Sequence, residues 1–272
     1  MKSLEARLGQ ALFLRRPREV ALTAPGERLS RACSEAMSLL RAALSDLTET
    51  GEGVLAITTM QSIATHWLAP RLMSFQLAHP SIAVRLDSTA RVVDLARENI
   101  DVALRAGRGD WPGLESHFLL GIVQTPLCSP QTWARLGSPT RPEQLLDAPR
   151  IGAEEEWAVW FAAAGVKARS SDAPPLSFDA QSIEVAAALA GNAIALGSPI
   201  FFAPEIAQGR LVQPFDIVAY GSGYWLAYPA ERRRSRKIVA FRDWLLARAA
   251  EDPAIQRYAR LWPTPHKPPD MV

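Results

Sequence analysis

Between Val54 and Leu114 the hydrophobic pattern changes period repeatedly, and each change marks an element. Val54 to Thr59 (VLAITT) is a short apolar run rich in β-formers, whereas Ser62 to Ala78 sets Leu68, Leu72 and Phe75 at helical spacing. Ile82 to Leu86 (IAVRL) gives a second strand, Val92 to Arg97 a short helix, and Ile100 to Arg105 (IDVALR) a third strand. That strand opens into a loop carrying Gly107, Gly109, Asp110, Trp111, Pro112 and Gly113. The alternation predicts a βαβαβ unit around a parallel sheet.

Ligands of open α/β sheets collect beyond the carboxyl ends of the strands, where this chain places Thr58, Thr59, Gln61, Ser62 and Arg105. Small polar groups, one cation and free helix N-terminal amides suit a small anion or carboxylate. The plainer alternatives are that Ser62 caps its helix and that Arg105 pairs with a surface acid.

Upstream, the pattern is of another kind. Met1 to Leu14 places Leu4, Leu8 and Leu12 on one helical face but starts without a cap. Arg15 to Leu22 (RRPREVAL) is a basic turn followed by an extended segment: either a solvated turn, or a β-wing whose Arg15, Arg16 and Arg18 reach for DNA phosphates. From Thr23 a helix begins, with Pro25 tolerated in its first turn. Along it Leu29, Cys33, Ala36, Leu40, Ala43 and Leu47 follow at alternating spacings of four and three. A seam this narrow, with small residues in it, points to a dimerising coiled coil over residues 23–50, the alternative being that it packs against the chain's own body. Thr48 to Gly53 (TETGEG) has the composition of a hinge.

Downstream of Leu114 the pattern predicts a strand pair, Ser116 to Leu120 and Ile122 to Cys128, then helices over Gln131 to Leu136 and Arg141 to Leu146 and a strand stub at Arg150 to Gly152. Trp157, Trp160 and Phe161 share a helical face and are expected in the core. Asp179 and Ser182 stand at the cap position of a helix over Ser182 to Leu189, and Gly197-Ser198-Pro199 opens another, Ile200 to Ala207. Asp179 is either a plain N-cap or an acceptor for a ligand ammonium. Gly209 to Phe215 reads as a turn and edge strand, Tyr224 to Tyr228 as a strand, and Arg236 to Ala249 as the closing helix. The Arg232-Arg233-Arg234 run before it is expected to be solvated, and the Pro-rich tail, residues 251–272, disordered or loosely packed.

Leu4-Glu5-Ala6-Arg7-Leu8-Gly9, Leu12-Phe13, the basic turn, Leu22-Thr23 and Gly26-Glu27-Arg28-Leu29 stand in the order and spacing of LysR-type transcriptional regulators, which the chain resembles to about residue 250. Ser62-Ile63-Ala64, Trp67 through Leu72, and Arg105 through Gly107 and Gly109 to Asp110-Trp111-Pro112-Gly113-Leu114 are similar to the branch containing the glycine-cleavage activator. The resemblance implies a partial winged helix-turn-helix in residues 1–22 and a linker helix in 23–50. Residues 51–250 become a two-lobed α/β effector domain of the periplasmic-binding-protein type 2 kind, with lobe I about 53–125 and 224–250 and lobe II about 126–223. Against the family pattern the chain starts near the end of the recognition helix, as a misplaced start or a natural short form would. The Cys128-Ser129 loop is expected to face the cleft, and Asp179 and Ser198 to line its second wall. The implied partners are promoter DNA, its binding weakened or lost if the truncation is real, a small-molecule effector such as a carboxylate or amino acid, and further copies of the chain as a dimer or tetramer. The alternatives are a solute-binding module without a DNA role and a short-form dominant-negative partner.

Charge sharpens this picture. The net charge of the 272 residues is +2, yet residues 1–31 hold seven Lys or Arg against three Glu, so a basic head precedes a slightly acidic body. No apolar run reaches membrane-spanning length and no cleavable signal opens the chain, which predicts a cytoplasmic protein without a membrane partner. Cys33 and Cys128 are too few for a disulfide framework, and His66, His79, His117 and His266 lack ligand spacing. Gly107-Arg108-Gly109 is not a dinucleotide loop, because Pro112 replaces the third glycine. No serine elbow occurs, so neither catalysis nor a metal or other cofactor is expected.

Overall fold

The computed structural model describes residues 2–16, 19–30, 32, 33, 36, 37, 53–169 and 176–259. In the head, α1 (Lys2–Leu8) is followed by the antiparallel pair β1 (Phe13–Arg16) and β2 (Glu19–Leu22), over the residues read as a wing. The helix does not run to Leu14: Gly9, at φ +65°, turns the chain after Leu8, as a left-handed glycine does at a C-terminus. The Glu5 carboxylate then accepts the Leu12 and Phe13 amides at 2.7 and 3.2 Å, fixing the wing to the helix. Thr23 Oγ1 accepts the Gly26 amide at 3.1 Å and caps α2, helical over residues 24–30. Of the heptad seam, Leu29 is half-buried and Cys33 and Ala36 are exposed, while Leu40 and Leu47 lie outside the described residues, as does Arg18.

The body is built on one curled, mixed sheet with the order β4-β3-β5-β9-β6-β8-β7. β3 (Gly53–Thr59) pairs in parallel with both β4 (Ile82–Ser88) and β5 (Val102–Gly107), and α3 makes the crossover from β3 to β4. α3 is one continuous helical run, Gln61–Ile63, a π-turn at Ala64–Leu68, and Ala69–Ala78. Pro70, which lacks the amide an α-helix interior needs, stands two residues past the π-turn, in the first turn of the last stretch. β6 (Leu114–Leu127) and β9 (Ala219–Pro229) are long antiparallel partners that pass through both lobes. In the second lobe β6 pairs with β8 (Ile194–Gly197), and β8 in parallel with β7 (Arg150–Ile151).

Helices cover the second lobe: α4 (Pro130–Arg135), α5 (Glu154–Ala163), α6 (Gln181–Ala190) and the short α7 (Ala203–Ala207). Trp157, Trp160 and Phe161 of α5 are at most 1% exposed and form the expected aromatic core with Cys128, Leu196 and Phe215. Both indoles donate to backbone carbonyls, Trp157 to Ile151 at 2.9 Å and Trp160 to Ile217 at 3.1 Å. α8 (Arg236–Glu251) returns to the first lobe and buries Ile238, Phe241 and Leu245 against it.

Several expectations are corrected here. Residues 92–97 form no helix; only turns at 95–99 connect β4 to β5, with Leu95 and Ile100 packed on Ala103. The expected strand pair after Leu114 is one strand, irregular between Phe118 and Leu120 and again between Gly121 and Val123, which curls it from one lobe into the other. α7 starts at Ala203 rather than Ile200, and the edge strand at Gly209 to Phe215 reduces to a bridge between Cys128 and Val212. The tail is not loose where described: α9 (Pro253–Ala259) buries Ile255 and Tyr258. Arg232 is not solvated, because it is bound to Asp101.

The glycine loop after β5 has a packing reason. Gly109 sits at φ +84°, and a Cβ there would lie 2.6 Å from the Trp225 ring, whose indole N–H donates to the Gly107 carbonyl at 2.9 Å. Backbone strain and overpacking therefore act together in Gly109→Ala, which is expected to cost about 2–4 kcal/mol. Urea unfolding followed by tryptophan fluorescence measures it, and a loss under about 1 kcal/mol contradicts this account.

Candidate ligand-binding cleft

The carboxyl ends of β3, β4 and β5 face the amino end of α6 across a cavity of about 560 Å³. Gln61 and Ser62 at the head of α3, with Ser88 and Thr89 at the end of β4, form the first wall. Gln124 of β6 and Ser222 and Tyr224 of β9 lie between the lobes, and Glu156 of α5, Ser177 to Gln181 and Glu184 of α6 form the second wall. Ser62 is not an N-cap: Met60 occupies that position without a side-chain hydrogen bond. The buried Ser62 Oγ instead accepts the Ser182 amide at 3.0 Å, a direct bridge from the first lobe to the first turn of α6.

Of the residues expected to bind effector, Gln61, Ser62 and Asp179 line the cavity together, whereas Thr59, Arg105, Cys128, Ser129 and Ser198 do not. Arg105 is half-buried behind the first wall. Its guanidinium donates to the Thr89 carbonyl at 2.5 Å and to Thr58 Oγ1 at 2.8 Å, and burial, then Arg91, pulls its pKa down. It braces Thr89, itself a lining residue. Thr59 and Ser198 are buried at the strand ends, and the Ser198 amide donates to Gln181 Oε1 at 2.8 Å, holding that lining side chain. Cys128 belongs to the aromatic core, its thiol pushed up to about 11 by burial, so it is no thiolate at neutral pH. Ser129 Oγ accepts the Thr132 amide at 3.2 Å and caps α4. Neither Asp179 nor Ser182 caps α6, whose N-cap is Ala180; Asp179 is exposed in the cleft.

The polarity of the cleft is the reverse of the expectation drawn from Arg105. Its lining contains Asp179, Glu156 and Glu184 and no Lys, Arg or His among the described residues. Glu184 is 4% exposed, and its Oε1 accepts the Phe178 amide at 3.2 Å. Burial raises its pKa, the Phe178 amide opposes this, and Glu156 adds to it. Glu156 is reached by solvent, yet the cleft walls still raise its pKa, against a hydrogen bond with Gln124 and with help from Glu155. Sequence reasoning missed this pair because Glu156 reads as the acidic first turn of a helix. Gln181 and Glu184, polar at i and i+3 in a helix whose one other polar residue is Ser182, were the available signal.

A cleft with polar walls from two lobes, without a nucleophile and base side by side, is a place to hold a ligand. No group of three or more His, Cys, Asp or Glu among the described residues is placed to hold a metal, and no described helix is long and apolar enough to cross a membrane. Residues 48–250 match the LysR substrate binding domain family. The chain belongs to the LysR family of transcription regulators. It is 37% identical over 254 residues to the HTH-type transcriptional activator AmpR of Pseudomonas aeruginosa, covering 92% of this chain and 84% of that one. It is also 33% identical over 256 residues to the glycine cleavage system transcriptional activator of Escherichia coli K12, covering 93% and 84%. The solved effector domain of the Pseudomonas AmpR superposes with a TM-score of 0.67 at 32% identity, over 78% of this LysR-family chain and all of that domain. These relatives are regulators rather than enzymes.

Proposed function

We propose that this LysR-type regulator binds its small-molecule effector in the cleft between the lobes, and that occupancy changes how an oligomer of the chain engages promoter DNA. The observation that supports this reading is the Ser62 to Ser182 bridge inside a cavity lined from both lobes, since any ligand there touches both halves at once. Such a ligand shifts the relative placement of the lobes by no more than its differential affinity for the two arrangements. Arg15, Arg16 and Arg18 in the wing contact DNA phosphates, and the heptad seam from Leu29 through Cys33, Ala36 and Leu40 to Leu47 joins two copies, which sets the spacing of the wings.

Footprinting on DNA upstream of the gene, in a salt series, tests the reading. The chain is expected to bind that DNA with an affinity that falls steeply with salt, and each of Arg15→Ala, Arg16→Ala and Arg18→Ala to reduce the salt slope by about one. Ser222→Trp, which puts an indole into the cleft, is expected to change the footprint with no ligand added. An unchanged footprint in that variant removes the cleft from the mechanism; no footprint from any form leaves a ligand-binding module without a DNA role.

A further inference from the structure

Resting on the cleft being the effector site, we infer that the effector carries a protonated nitrogen, an amine or guanidinium, seated between Glu156 and Glu184. The observations are independent of one another. Glu184 is 96% buried (4% exposed), and among the described residues the one donor to it is the Phe178 amide on Oε1, which leaves Oε2 without a donor at a cavity wall. A carboxylate kept there in apposition to a second one is costly unless something positive completes it. Two cations of the first lobe stand near the lining in sequence, and each has protein partners: Arg105 donates to Thr89 and Thr58, and Arg91 pairs with Glu98.

A metal ion is the other positive occupant to consider, and among the described residues no group of three or more His, Cys, Asp or Glu is placed to hold one. A cavity of about 560 Å³ is much larger than an ion needs and suits an organic cation. Amides and hydroxyls of Gln61, Gln124, Ser88 and Ser222 remain for the rest of the ligand.

Protonation enters with a definite sign. The titratable groups lining the site are Glu156 from α5, with Glu155 acting on it from the same helix, Asp179 from the loop before α6, Glu184 from α6 and Tyr224 from β9, the last pushed up to about 12 by burial and by Glu156. Glu156 and Glu184 hold protons to a higher pH than free carboxylates do, and a bound cation expels them. Affinity for a cation therefore rises with pH through the carboxylate range, and binding releases protons.

The test compares putrescine with succinate, its anionic counterpart of equal chain length, and with calcium chloride, at matched ionic strength, by thermal unfolding and calorimetry of the full chain. Putrescine is expected to raise the Tm and succinate and calcium not to. Glu156→Gln/Glu184→Gln, which keeps the shape, is expected to abolish the shift yet to melt above the wild type without any probe, because it removes the burial and repulsion of two carboxylates. Stabilisation by succinate that Ser222→Trp abolishes overturns the inference and leaves the cleft reading standing, as does a calcium-specific shift. No shift by putrescine overturns the inference as well. If Ser222→Trp also leaves the footprint unchanged, the proposed function falls with it.

Discussion

Asp101→Asn is expected to destabilise the body by about 3–5 kcal/mol, among the largest effects of any conservative substitution in this chain. Asp101 is 3% exposed at the start of β5, and three donors converge on it. Arg232 Nη2 reaches Oδ1 at 2.5 Å, Lys237 Nζ reaches Oδ2 at 2.7 Å, and the Ala56 amide reaches Oδ2 at 2.8 Å. The two cations are themselves largely enclosed, at 18% and 16% side-chain exposure. Asparagine keeps the size and one acceptor but withdraws the charge, so a guanidinium and an ammonium remain in a poorly hydrated pocket beside an amide whose oxygen cannot face both. Lys237 also donates to the Val54 carbonyl at 2.8 Å, which ties α8 to the first strand of the body. Chemical denaturation with circular dichroism checks the value. A cycle with Lys237→Met separates the orphaned-charge penalty from the lost contacts: the double variant is expected to recover part of the loss. A loss below about 1 kcal/mol for Asp101→Asn shows that the cluster is better hydrated than its exposure indicates.

The same cluster shows where sequence reading stops. Strands β3, β4 and β5 were legible because their apolar runs are bounded by polar turns, and the helix between β3 and β4 because the period changes to that of an α-helix. No local pattern ties Asp101 to Arg232 and Lys237, which lie 131 and 136 positions away, so the arginine run read as solvated. Arg105 failed in the opposite way. A cation at a strand end was correctly located, but its direction was fixed by Thr89 and Thr58, 16 and 47 positions away, and it points behind the wall. Ser62 was placed in the cleft for the right reason, the strand-to-helix junction, although its partner turned out to be the other lobe rather than its own helix. Glu156 and Glu184 became a pair only through the fold. Each sits on a different helix, and each has an ordinary local explanation.

The Pro-rich tail carries the second large effect. Asp252→Ala is expected to cost about 3 kcal/mol, whereas Asp252→Asn costs about 1. One oxygen, Oδ2, accepts the indole N–H of the fully buried Trp67 at 2.9 Å and pairs with Arg71 Nη2 at 2.7 Å, while the guanidinium also lies over the Trp67 ring at 4.9 Å. The other oxygen, Oδ1, accepts the Ala254 amide at 2.9 Å and the Ile255 amide at 3.3 Å, which is how an aspartate caps a helix. Pro253 at the first helical position completes a start signal that was present in the sequence but was outweighed by the proline content of the residues after it. Alanine leaves the indole donor unpaired in the core and uncaps α9, whose Ile255 and Tyr258 pack on the first lobe. Arg71, with a third of its side chain exposed, turns to water at little cost, so the ion pair itself contributes least. Asparagine retains an acceptor for the indole or the cap and loses mainly the charge. Thermal unfolding of the two variants is expected to separate them by several degrees, alanine lower. Equal losses make the ion pair with Arg71 the dominant contact and refute the assignment of the larger share to Trp67 and the cap.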